Sequence, residues 1–310
     1  MQRFHPTPRP NTLHDKVMAD LAEKRFMPSA PTRTELRIAT KLGMDDDTRS
    51  ALARITRLAA SQRTGVPGRF MPDAGVSALL ATLGVAEDVD EADFFKFRSL
   101  VIPYSGVPTH QRRNWEEAGP QLEDLTSPQV RRAQVALGLL RMEGAQALVI
   151  GRHEDAESIA ISGGGTGTRI LEDTTDTARL VFSPAFGVVC QTTLSPRRVS
   201  WLVQQLRLRW RDARVTFLDT VSPAMTAREE ALERLLIVCD RVVIVGDAGE
   251  ASCEALMETA LRRGKPGVVV TGPEGLDLTD LKANEKIALT AGGFATDDAI
   301  RATAEALVRR

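Results

Sequence analysis

At 310 residues, 43% hydrophobic and 26% charged, the chain has the length of two or three domains and the composition of an ordinary globular protein. Its 40 basic and 41 acidic residues leave a formal net charge of -1, which excludes a general electrostatic attraction to nucleic acid or to an anionic membrane. No apolar run approaches the roughly 18–20 residues of a membrane span, and Met1-Gln2-Arg3-Phe4-His5-Pro6 lacks the apolar core of a secretory signal, so the expected location is cytoplasmic.

Residues 1–33 are rich in Pro, Arg and Lys around one short amphipathic piece at 13–21. They read as an N-terminal extension, either a plain tail or an arm for a protein partner. From residue 34 strand and helix patterns alternate. A short apolar run at 36–39 precedes Asp45-Asp46-Asp47, an acidic helix start, and a helix pattern at 48–60. A second helix at 73–83 leads to a buried strand at 97–103, then helices at 112–118 and 127–142. Strands follow at 147–151 and within 180–189, then a helix at 199–210, a strand at 215–218 and a helix at 228–238. Residues 241–246 carry Val242-Val243-Ile244-Val245, the continuous apolar pattern of an interior parallel strand. A helix at 253–263, strands at 267–271 and 286–290, and a closing helix at 297–309 complete the chain. The expected fold is α/β, with mostly parallel sheets in three pseudo-repeated αβ domains spanning 34–122, 123–218 and 219–310. A ligand in such an assembly sits where the C-terminal strand ends converge.

Several residue patterns bear on chemistry. Gln191-Thr192-Thr193-Leu194-Ser195 gathers hydroxyls at a strand-to-helix turn, which suits holding the oxygens of a small ligand. The glycine-rich stretch 162–168 lacks the Lys-Ser/Thr ending of a phosphate-binding P-loop and reads better as a surface loop. His110 and His153 stand alone, so no metal site is expected. Cys190, Cys239 and Cys253 are too few and too ill-spaced for a disulfide framework. The arginines at 207, 209 and 211 read as a solvated helix face.

Four segments in order resemble the LytB (IspH-like) family of 4-hydroxy-3-methylbut-2-enyl diphosphate reductases. They are Asp124-Leu125-Thr126-Ser127-Pro128-Gln129-Val130, Gln191 to Ser195, Asp219-Thr220-Val221-Ser222-Pro223-Ala224-Met225-Thr226-Ala227-Arg228-Glu229-Glu230-Ala231 and Thr290-Ala291-Gly292-Gly293-Phe294-Ala295-Thr296. The resemblance covers about residues 34–300. It implies three αβ domains around a central cavity, with one cysteine from each domain holding an iron–sulfur cluster that drives reductive removal of a hydroxyl from an allylic diphosphate.

By the same resemblance the three cluster positions hold Asp45, Ser127 and Ser222 here. The histidines that grip the diphosphate become Ser105 and Asp155, with none near Gly68. The Ser-Ser-Asn clamp becomes Glu250-Ala251-Ser252, and the serine of the last glycine loop becomes Phe294. Glu157 matches the proton-relay glutamate, and Thr192 and Thr193 match the threonine pair. Iron–sulfur clusters need soft thiolate ligands. The expectation is therefore a degenerate LytB-like protein with no cluster as cofactor, binding a small polar or phosphorylated ligand in the ancestral cavity. Candidate lining residues are Asp45, Ser105, Ser127, Asp155, Thr193, Ser222, Thr226 and Ser252. Asp45, Ser127 and Ser222 read either as an oxygen-lined pocket or as fillers of similar size. Glu157 reads either as a general acid or as part of a solvated acidic loop. The gain of Asp155 and Glu250 weighs against a diphosphate, since like charges at roughly 4–6 Å repel by several kcal/mol in a partly buried site. The alternatives are a cluster-free enzyme using Glu157 and Thr192, or a genuine reductase with unconventional ligands.

Overall fold

Most strands are short runs rich in β-branched and aliphatic residues, and most are followed by a helix whose first turn is capped by a side-chain oxygen. The computed structural model describes residues 35–277, 279, 282 and 284–309; the expected N-terminal extension lies outside them. Asp45, Ser127 and Ser222 cap α1 (Asp46–Ser61), α4 (Pro128–Met142) and α8 (Pro223–Leu236), and Asp73 caps α2 (Ala74–Thr82). The remaining helices are α3 (Thr109–Glu117), α5 (Ala156–Ser162), α6 (Thr174–Arg179), α7 (Pro196–Arg209), α9 (Ala251–Arg262) and α10 (Asp297–Val308). Proline in the first turn of α4, α7 and α8 fixes helical φ where no N–H partner is needed.

The strands form three parallel sheets. The first holds β2 (Thr64–Gly65), β3 (Ser99–Ile102) and β4 (Gln121–Asp124). The second is ordered β6 (Thr168–Leu171), β5 (Gln146–Ile150), β7 (Ala185–Cys190) and β8 (Arg214–Phe217). The third is ordered β1 (Glu35–Ile38), β11 (Lys286–Ala291), β9 (Arg241–Val245) and β10 (Gly267–Val270). Helices cover both faces, so Val242 to Val245 are fully buried and each sheet has apolar clusters on either side. Among the described residues no helix is long and apolar enough to cross a membrane.

The first segment of the chain differs from expectation at both edges. β1 pairs with β11 in the third sheet, from Glu35 opposite Lys286 to Ile38 opposite Leu289. The segment 121–124 is a strand of the first sheet, so the expected boundary at 122/123 cuts through β4. Within 180–189 one strand forms, beginning only at Ala185. The acidic stretch around Glu157 is the start of α5, not a solvated loop, although Glu154 itself is exposed.

Candidate functional site

The C-terminal ends of strands from all three sheets meet at one cavity of about 260 Å³. Tyr104 and Ser105 follow β3, Ser127 follows β4, and Asp155 and Glu157 follow β5. Gln191, Thr192 and Thr193 follow β7, Glu250 and Ala251 follow β9, and Phe294 follows β11. Arg69 and Pro72, from the loop between β2 and α2, complete one wall. Within each parallel sheet the strands end on the same edge, so several loops of one sheet reach the cavity together.

Glu157 sits in the first turn of α5 with 6% of its surface exposed. The Thr192 N–H donates to its Oε1 at 2.5 Å, and Thr193 Oγ1 lies 3.5 Å from its Oε2. Gln191 holds this turn in place: its Oε1 accepts from Ser158 Oγ (3.0 Å) and the Arg152 N–H (3.2 Å), and its Nε2 donates to Thr193 Oγ1 (3.0 Å). Burial pushes the Glu157 carboxyl up to about 7, with the nearby Asp155 charge adding to it and the threonine donors opposing. A carboxyl poised near neutrality in a cavity can take or give a proton.

Glu250 is the second buried acid, 1% exposed at the N-terminus of α9. It accepts from the Gly293 N–H (2.7 Å), from the Ser252 hydroxyl and from the Cys253 thiol (3.5 Å). Gly292 permits this approach, since a Cβ there would collide with the Glu250 carboxylate and Cys253 Sγ. Burial pushes Glu250 up to about 7, while the Ser252 and Gly293 donors and the Arg228 charge pull it down. Arg228, itself buried, donates through Nε (3.1 Å) and Nη2 (2.7 Å) to the Gly43 carbonyl and thereby ties α8 to the loop after β1. Burial lowers its guanidinium, which Asp45 and Glu250 oppose.

A family model described as LytB protein matches residues 51–308. The chain belongs to the LytB family. Among curated relatives, the 4-hydroxy-3-methylbut-2-enyl diphosphate reductase of Treponema denticola is 24% identical over 275 residues, covering 84% of this chain and 94% of that one. The protein of the same name from Saccharophagus degradans is 27% identical over 215 residues, covering 67% and 69%. Among solved structures, the E-1-hydroxy-2-methyl-but-2-enyl-4-diphosphate reductase of Plasmodium falciparum superposes with a TM-score of 0.81 at 20% identity, covering 88% and 87%. A second structure, of the (E)-4-hydroxy-3-methyl-but-2-enyl diphosphate reductase described as the terminal enzyme of the non-mevalonate pathway, gives a TM-score of 0.63 at 19% identity, covering 89% and 100%. At these identities the structural likeness establishes the LytB fold.

The three positions that the LytB resemblance assigns to cluster ligands are all helix N-caps. Asp45 Oδ1 accepts from the Thr48 N–H (2.8 Å), Ser127 Oγ from the Gln129 N–H (3.3 Å) and Ser222 Oγ from the Ala224 N–H (3.2 Å). Serine and aspartate are among the strongest capping residues. The Thr48 hydroxyl bridges Asp45 Oδ1 (2.7 Å) and the Tyr104 hydroxyl (3.2 Å), whose proton burial holds up to about 12. Such hard oxygen donors do not fit an iron–sulfur cluster. The cysteines lie elsewhere, all buried: Cys190 at the end of β7, Cys239 before β9 and Cys253 in α9. Burial pushes each thiol up, Cys190 to about 12, away from the thiolate that a metal requires.

Of the residues singled out in the sequence, Glu157, Thr192, Thr193, Ser105, Ser127 and Asp155 line the cavity. Asp45, Ser222, Thr226 and Ser252 are not among its lining residues. Asp45 and Ser222 are occupied as caps, Thr226 Oγ1 lies 3.5 Å from the Ser222 carbonyl, and Ser252 is buried behind Glu250. An oxygen-lined pocket built from Asp45, Ser127 and Ser222 together is therefore absent among the described residues; only Ser127 reaches the cavity. Tyr104, Arg69 and Gln191 were not among the candidate lining residues. Tyr104 stands beside the candidate Ser105, Arg69 lies in a loop without a motif, and Gln191 opens the quoted stretch 191–195 but takes its role from partners more than thirty residues away. Of the glycine-rich stretch 162–168, residues 163–167 form the loop between α5 and β6.

Proposed function

We propose that this LytB-family protein assembles no iron–sulfur cluster and uses its cavity to bind a small molecule. The observation that carries the reading is the donor set at the three ligand positions: one carboxylate and two hydroxyls, each engaged in capping a helix. A capping oxygen at such a position is worth about 0.5–2 kcal/mol of helix stability relative to alanine, so retention of the fold is sufficient reason for these residues. The cavity nevertheless remains open, with Phe294 narrowing it and packing edge-on against Tyr104 at 5.9 Å. Anaerobic reconstitution with iron and sulfide tests the proposal: it predicts a colourless protein, and a stably bound cluster would refute it.

A second reading, a cluster-free enzyme, is favoured by Glu157. Its carboxyl titrates near 7 beside Thr192 and Thr193, as a general acid or base at a polar substrate would require. Replacement by glutamine would abolish turnover of such a substrate, and turnover retained by that variant would refute this reading. Reductase activity like that named for the relatives would need thiolate ligands that positions 45, 127 and 222 do not supply.

A further inference from the structure

The charge arrangement of the cavity points to a class of ligand, an inference that rests on the cavity being a binding site as proposed above. Behind the part of the wall formed by Glu250 lies an anion cradle: the Gly293 N–H and the Ser252 hydroxyl, next to the first turn of α9, with the Arg228 guanidinium near them. A Cβ on Gly293 would lie 3.5 Å from both Arg228 Nη1 and Glu250 Oε1, so the two charges flank that glycine. Donors converging in this way would suit an oxyanion. The chain fills the cradle itself, with the carboxylate of Glu250. Gly292, which has no side chain to block it, lets that carboxylate seat against the backbone.

With the cradle filled, what faces the empty space is acidic and apolar. Asp155, Glu157 and Glu250 line it, against a single basic lining residue, Arg69, which is exposed. Glu157 Oε2, with Thr193 Oγ1 at 3.5 Å, retains acceptor capacity for an N–H donor. Glu157 has no cation beside it, and burial pushes its carboxyl up to about 7, whereas Glu250 has Arg228 as its neighbouring cation. Tyr104 and Phe294 supply aromatic surface of the kind that accommodates organic cations. The volume of about 260 Å³ lies just below the usual range for ligand pockets, so the occupant has a short body.

We propose that the cavity takes a small organic cation, an alkylammonium with a short aliphatic chain, and that Glu250 excludes phosphate-bearing ligands by occupying their seat.

The test is calorimetric titration of the full chain with butylammonium chloride, 1-butanol and sodium pyrophosphate. Butylammonium should bind at least tenfold more tightly than butanol, and pyrophosphate should give no binding heat. E157Q, nearly identical in shape, should cut butylammonium affinity at least tenfold and leave butanol unchanged. E250S, which empties the cradle, should gain pyrophosphate binding, with thermal melting confirming that each variant is folded. Equal affinity for the amine and the alcohol, tighter binding of pyrophosphate than of butylammonium, or no binding of butylammonium would each overturn the proposal. Binding of butanol or pyrophosphate instead would leave the cavity a ligand site and remove only its charge preference. Cluster content is read separately and is untouched by these outcomes.

Discussion

Replacing Glu157 by glutamine removes a buried ionisable group while keeping its shape and its acceptor for the Thr192 N–H. In the folded protein this carboxyl titrates at about 7, against an ordinary value of 4.5. That difference, at 1.36 kcal/mol per pH unit, is a penalty of about 3 kcal/mol on the ionised form. The sign follows from linkage. Because the folded value is the higher one, the native state holds a proton that the unfolded chain has released between pH 4.5 and 7. Stability contributed by the protonated group is complete below 4.5 and is lost as pH rises through 7. E157Q has no such dependence. At about 2 °C per kcal/mol for a chain of this length, E157Q should melt about 6 °C above the unaltered protein at pH 8. The two should melt together near pH 4.5. Differential scanning fluorimetry across this range measures the difference. A gap that does not change with pH, or lower stability of E157Q at pH 8, would refute the placement of Glu157 as a buried acid short of counter-charge.

Asp45→Ala removes the acceptor of both the Thr48 N–H and the Thr48 hydroxyl, and urea unfolding should show a loss of about 1–2 kcal/mol. Ser127→Ala and Ser222→Ala, whose caps are longer, should each cost about 0.5–1 kcal/mol by the same assay. Arg228→Met strands the Gly43 carbonyl and leaves Glu250 without its neighbouring cation, and should destabilise by about 3–5 kcal/mol in denaturant titration. Ellman's reagent at pH 8 should find no fast-reacting thiol in the native protein and three after denaturation, because every cysteine is buried with its thiol pushed up.

The sequence made the sheets visible wherever a strand is buried on both faces. Val242 to Val245 could hardly be anything else, and Ser-Pro pairs at 127 and 222 mark helix starts by capping chemistry alone. What it left hidden were long-range pairings. Glu35 to Ile38 carries an apolar pattern but no sign of which sheet receives it, and its partner β11 lies some 250 residues on. The site divides in the same way. Thr192, Thr193 and Glu157 stand in segments that resemble a family, and the structure brings them together. Whether Glu157 was solvated or enclosed was decided by the turn after β7, which no local pattern around residue 157 reveals. Glu250 was legible as a charge hostile to phosphate. Its role in filling the cradle was not, since Gly293 lies 43 residues away along the chain.

Metal and sulfide content after strictly anaerobic reconstitution with iron, sulfide and reductant, followed by desalting, tests the central claim most directly. Oxygen ligands at positions 45, 127 and 222 predict iron and sulfide at background and a featureless visible spectrum. A brown protein retaining about four irons per chain would contradict the account.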